Sequence, residues 1–284
     1  MNGFEQPPDV ASAAETLEAL LARSGRDALP LRRGFVQTRQ PAGGAGPLAA
    51  FVRGRHAVAL DLYLLGHAVA SQEPFDVVLP SRVWARALGL GEPSSAAATI
   101  SQSWTWLEEQ RLITSARRGR LREIRFLRED GSGQPYRHPG HEGDYFKLPY
   151  SYWQGLYPGR LSLPAKALLL IALSLGPDFW LPHEHGARWY GLSRDTVSRG
   201  LATLLRLGLL EVRHERKKAP LSPKGFTEER RYALRPPFGT GFPSATQPGA
   251  SVIAARRRAR AVGTQASERQ ADQDMRGGVR EAPV

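Results

Sequence analysis

The chain has 284 residues, with 39 Lys and Arg against 27 Asp and Glu, a formal net charge of +12 and no cysteine. That length suggests one or two domains. The missing cysteines exclude disulfide frameworks, thiolate metal sites and cysteine nucleophiles, and the excess of base predicts an acidic partner, for which nucleic acid is the usual one. Only Lys147, Lys166, Lys217, Lys218 and Lys224 are lysines; a GC-rich coding bias accounts for much of the arginine preference but not for the net charge. No apolar run approaches the ~20 residues of a membrane span. The start lacks a basic region followed by an apolar stretch, so it does not read as a signal peptide. The expectation is a soluble cytoplasmic protein.

Residues 1–48 read as a short helix and a linker. Residues 1–10 are polar, contain proline and read as disordered. Ala14, Leu17, Leu20 and Leu21 share a face and predict an amphipathic helix over 11–24. Residues 25–48 mix Arg32, Arg33 and Arg39 with a Pro/Gly/Ala run at 41–47, a linker signature. Residues 49–128 predict a first domain. A helix over 56–71 carries Val58, Leu62, Leu65 and Val69 on one face, and a short strand covers 76–80. Ser81 is placed to cap a second helix with Val83, Trp84, Ala87 and Leu88. A turn at 89–93 leads to a third helix, capped by Ser94 or Ser95 and running through 109, with Ala97, Ile100, Trp104 and Leu107 inward. Strands at 112–116 and 121–127 are joined by Arg117-Arg118-Gly119-Arg120. Helix, strand, helix, helix, hairpin is the winged-helix order.

Residues 129–144 are Gly-, Pro- and Ser-containing and read as a flexible linker. Residues 145–237 repeat the plan. Pro164 suits the first turn of a helix running through 175, a strand covers 179–181 and a helix covers 182–190. Gly191 permits the tight turn that follows. Ser193 is a ready N-cap, and Val197, Leu201, Leu204 and Leu205 make an apolar stripe. Asp195, Arg199 and Arg206 fall on the far side, with Thr196, Ser198 and Thr203 on the flanks. Gly208 ends the helix and a strand starts at Leu209. The hairpin loop, 214–225, is long and basic, and the return strand covers 230–235. Residues 238–284 hold too few large apolar residues for a core and read as a disordered basic tail, with Arg256, Arg257, Arg258 and Arg260 clustered. The predicted class is α+β, mainly α with small β hairpins: two winged helix-turn-helix domains in series.

A helix docked by an apolar stripe and backed by short polar and arginine side chains suits a major groove. The candidate DNA-binding residues are Ser193, Arg194, Asp195, Thr196, Ser198, Arg199 and Arg206 on that helix and Arg216, Lys217, Lys218 and Lys224 on its hairpin. The bland alternatives are a solvated helix face and an ordinary surface loop. The third helix of the first unit has no Lys or Arg, which leaves Thr99 and Gln102 as candidate base readers and puts its base in the hairpin, at Arg117, Arg118 and Arg120. Trp106, on the polar side of that helix, reads as a protein contact or as packing against the hairpin. His183-Glu184-His185 has i, i+2 spacing, unlike the i, i+4 pair of a zincin, and reads as a helix start. Gly89-Leu90-Gly91 reads as a turn. With no Ser-His-Asp pattern, paired apolar carboxylates or Walker motif, neither an enzyme nor a cofactor or metal is expected.

Two winged units in series, over residues 50–236, resemble the RepA-type plasmid replication initiators, which bind origin repeats through paired winged-helix domains. The segment from Leu192 through Val197, with Gly208-Leu209-Leu210 after it, is similar to the recognition region of GntR-like repressors, although no effector-binding domain follows. The resemblance implies a sequence-specific protein of double-stranded DNA, nucleoid-associated, acting in replication initiation. A second copy of the chain and the replication or transcription machinery are further partners it would fit, with no membrane. The alternatives are a winged-helix transcriptional repressor and a winged-helix protein-interaction adaptor.

Overall fold

The structure is a computed structural model that describes residues 10–38, 44–91, 93–141, 144–182 and 186–242. Helix α1 (Ala13–Ala22) starts at a capping box: the Ser12 hydroxyl accepts from the Glu15 N–H, and the Glu15 carboxylate accepts from the Ser12 N–H. Strand β1 (Ala28–Arg32), a 3-10 turn, and the two-residue strands β2 (Gln37–Thr38) and β3 (Gly44–Ala45) lead to α2 (Leu48–Arg53) and α3 (Ala57–Val69). Then come β4 (Asp76–Val78), α4 (Ser81–Ala87), α5 (Pro93–Glu109), β5 (Ile113–Arg118) and β6 (Leu121–Phe126). After β7 (Tyr145–Pro149) and the short helices α6 (Ser151–Gln154) and α7 (Tyr157–Arg160), the second half runs α8 (Leu163–Leu175), β8 (Phe179–Trp180), α9 (Gly186–Tyr190), α10 (Arg194–Arg206), β9 (Leu210–Lys218) and β10 (Phe226–Leu234). This is an α+β chain with small antiparallel sheets. The strand orders β4-β6-β5 and β8-β10-β9 repeat one arrangement. No helix among the described residues is long and apolar enough to cross a membrane.

The centre of each half is a helix apolar on nearly every side. On α3 the buried set runs through Leu60, Leu62, Tyr63, Leu64 and Leu65, and on α8 through Ala165 to Ala172. Such a helix needs cover all round. Around α8, α10 supplies part of it at unusually close range. A Cβ on Gly200 would meet the Leu168 side chain at 2.8 Å and the Pro164 carbonyl at 2.7 Å. Gly200 therefore joins Val197, Leu201 and Leu204 on the buried face, and Leu205, expected there, is exposed.

Three stretches expected to be spacers or tail are built into the fold. All five residues of β1 are buried, and β1 pairs antiparallel with β7, from Ala28 opposite Pro149 to Arg32 opposite Tyr145. Residues 129–141 are fastened rather than flexible. Glu129 is fully buried, and its carboxylate accepts from the Arg32 guanidinium at 2.6 Å and from the Arg32 N–H at 3.2 Å. Arg32 also donates to the Arg137 carbonyl at 2.7 Å, and Tyr136 packs edge-on against Phe75 and His67. Polar composition suggested linkers because each charge hides its partner a hundred residues away. At the C-terminal side the fold extends past 237: Phe238 is buried beside Tyr157 and Tyr152, and the Phe242 N–H donates to Glu211. The described residues up to Phe242 accordingly form one compact unit. Residues 243–284, with the rest of the expected basic tail, lie outside the described residues, as do residues 1–9. Two expected caps also shift by a residue or more. Pro80 takes the cap position of α4, and α5 begins at Pro93, so Ser94 and Ser95 are inside it.

The halves meet through β1 with β7, β3 with α9 and α2 with α8, and an ion pair links α3 to α8. Lys166 Nζ donates to Asp61 Oδ2 at 2.5 Å, with both side chains largely buried. Burial pushes the Asp61 carboxyl up to about 6, against the pull of Lys166. Deleting one member of a buried pair strands the other charge, whereas replacing both with apolar residues does not. Lys166→Met alone should cost about 3–5 kcal/mol in urea unfolding, and Asp61→Leu with Lys166→Met far less. Equal losses would show that the pair is solvated.

His67 lies in the core of the first half, ringed by Tyr63, Phe126 and Tyr136, and neither ring nitrogen has a hydrogen-bond partner. Burial pulls its pKa from 6.5 down to about 3, helped by the charges of Arg26, Arg32 and His138. The unfolded chain therefore takes up this proton first, and His67 costs stability progressively as pH falls below 6.5. Relative to His67→Leu, the wild type should lose about 2 kcal/mol between pH 8 and pH 5. A pH-independent difference between the two would show that the imidazole is hydrated.

Candidate nucleic-acid interface

In the second half the turn into α10 is set by backbone and cap. Gly191 has φ +64°, a left-handed conformation open to glycine. The Ser193 hydroxyl then accepts from the Thr196 N–H at 3.2 Å, as its N-cap position predicts. With Val197, Gly200, Leu201 and Leu204 turned inward, Ser193, Arg194, Asp195, Ser198, Arg199 and Arg206 are exposed, and Thr196 is half-buried. Asp195 and Arg199 form an i, i+4 ion pair at 2.8 Å while remaining 73% and 65% exposed. That pair holds one guanidinium nitrogen and leaves the other donors facing solvent. The helix ends at Leu207, and Gly208 follows at φ +69°.

The hairpin after α10 is longer and less basic than expected. Arg216, Lys217 and Lys218 lie within strand β9, not in a loop, and the turn covers 219–225. Across the ladder Arg216 faces Glu228, and Lys217, opposite Thr227, pairs diagonally with Glu229, with ion-pair distances of 3.1 and 2.5 Å. Lys218 and Lys224 are exposed and have no ion pair among the described residues. The return strand supplies the two acids, which a reading centred on the basic loop passes over.

In the first half α5 exposes Gln102 and Thr105, and Thr99 is half-buried. Thr99 and Thr105 each donate a hydroxyl back to their own helix, to Ser95 O and Ser101 O. Glu108 is not a bare acid. Its carboxylate accepts from the Ser115 N–H and from Arg122, both at 2.9 Å, and so pins the β5–β6 hairpin to α5. Arg122 is thereby occupied. Arg117, Arg118 and Arg120 stand exposed at the hairpin tip, with Glu123 only at 4.0 Å from Arg118.

Trp106 is half-buried and packs on the segment around α2. Its ring lies edge-on to Phe51 at 4.7 Å and stacks on His56 at 4.1 Å. A contact from the first half also reaches the second: the Arg53 Nε–H donates to the Gly191 carbonyl at 3.2 Å. No local motif marks Arg53; the only trace in sequence is the Gly at 191, which reads as turn chemistry alone. His183, Glu184 and His185 lie outside the described residues, and no metal-holding cluster occurs among the described ones. Comparison with protein-family models, curated proteins and solved structures finds no match to this chain.

Proposed function

We propose that the chain binds double-stranded DNA in a sequence-specific way through two winged helices, as a replication-initiator-like protein of the nucleoid that recognises origin repeats. The observation that carries this reading is the repeated series of helix, strand, helix, helix and hairpin, with one strand order in both halves. In the second half that series ends in a capped helix exposing Arg194, Arg199 and Arg206. Arginine forks match the guanine edge, and exposed hairpin bases reach phosphate.

The two halves divide the work. α10 reads bases, with Asp195 orienting Arg199. Its hairpin contributes Lys218 and Lys224 to phosphates, with Arg216 and Lys217 already half-neutralised by Glu228 and Glu229. The first half grips phosphate through Arg117, Arg118 and Arg120, while α5 offers Thr99 and Gln102 without positive charge. Trp106, the residue that would favour an adaptor, spends part of its ring on Phe51 and His56. A repressor would use the same surfaces. Footprinting on genomic DNA separates the two: repeated sites at one origin fit an initiator, and a single operator beside a promoter fits a repressor.

Arg199→Ala should weaken binding to the footprinted site by about 1–3 kcal/mol and relax preference at one base pair. Equal weakening on a scrambled duplex would make Arg199 a phosphate contact. Replacing Arg117, Arg118 and Arg120 together with alanine should weaken specific and scrambled duplexes alike. The slope of log K against log salt should become shallower by about 0.9 for each phosphate contact removed. An unchanged slope would place the hairpin of the first half off the DNA.

A further inference from the structure

The six-residue helix α2 touches the supports of both candidate reading helices. At its C-terminal end Arg53 donates to the Gly191 carbonyl, in the turn that launches α10. That turn is closed in by the same segment. A Cβ on Gly191 would run into the Arg53 guanidinium, and it would lie 2.7 Å from the Ala45 Cβ and 3.0 Å from the Ala49 Cβ. On its other side α2 offers Phe51 to Trp106 of α5, and His56, just beyond α2, stacks on the same indole. Phe51 is fully buried, and α2 packs against both α3 and α8.

Building on the DNA-binding reading above, we propose that α2 is a spacer gauge. Arg53 and Trp106 act as positioning residues that set where α10 stands relative to α5, and so which separation of contacts along a duplex the chain accepts. Neither residue needs to touch DNA for this. Arg53 acts on the backbone from which Ser193 and α10 start, and Trp106 acts through the ring contact that seats α5. The arrangement accounts for an indole on the polar side of α5, and for a guanidinium of the first half donating to a turn of the second. A flexible tether between the halves would tolerate a change in spacing; a gauge would not.

The test uses the full chain and a duplex that it selects from a random-sequence pool. A second duplex carries about five extra base pairs, half a helical turn, at the centre of the protected segment. The wild type should bind the second duplex about tenfold or more weakly. Arg53→Ala should shrink that penalty to about threefold or less with its melting temperature unchanged, and Arg53→Lys, which keeps a cationic donor, should restore most of it. Trp106→Ala should shrink the penalty from the other end. Hydrogen exchange of residues 191–197 should quicken in Arg53→Ala, with or without DNA. The proposal is overturned if Arg53→Ala keeps the wild-type penalty, weakens both duplexes equally, or leaves exchange at 191–197 unchanged. If the wild type selects no duplex, the DNA-binding reading falls, and exchange at 191–197 alone decides whether Arg53 holds the turn.

Discussion

Two charges taken out of water at the meeting of α3 and α8 are the constraint on which the rest of the fold turns. Lys166 and Asp61 pair there, and each would be costly alone. Around them both helices are apolar on nearly every face. An apolar contact tolerates some sliding, whereas a buried ion pair specifies one register. Arg32 and Glu129 repeat the device on the other side of the first half, tying β1 to the segment that leaves β6. Two buried ion pairs therefore add a defined geometry to one continuous apolar core.

That geometry leaves the surface chemistry uneven. The first half spends its helix acid, Glu108, on holding its own hairpin and leaves its arginines at the tip. The second half spends hairpin bases on Glu228 and Glu229, and on its helix pairs Arg199 with Asp195 while leaving that arginine 65% exposed. Net charge alone does not distinguish these cases. What matters is which cations are already paired within the chain, because a paired cation must give up one partner to gain another. Under the proposed function, the first hairpin is the freer source of phosphate contacts, and α10 the better source of directional ones.

Much of the local structure was legible in the residues. The Ser193 cap, the Gly191 and Gly208 turns and the α3 and α8 apolar runs are short-range signals, and each lies where the spacing puts it. What was not legible depended on distant partners. Arg32 reads as a linker charge until Glu129 is known to lie against it. Trp106 reads as an exposed aromatic until Phe51 and His56 cover it. Gly200 is invisible as a packing residue because a glycine within a helix signals only weakness in sequence, and its value is the approach it allows to Leu168. The acids of β10 were within reach of a reading by cross-strand register, had the hairpin been extended to its full length.

The pairing of β1 with β7 also orders events during synthesis. The ribosome makes β1 early, but its partner, residues 145–149, comes only after the whole first half has been made. Until then Leu29 and Leu31, both fully buried in the finished fold, have no strand beside them. A contact between segments so far apart in the chain forms late. The first half therefore waits for the second to begin before it closes, and the two share one folding event instead of taking turns. Cutting the chain between them yields a fragment missing its own last strand partner, a poor reporter of what that half does when intact.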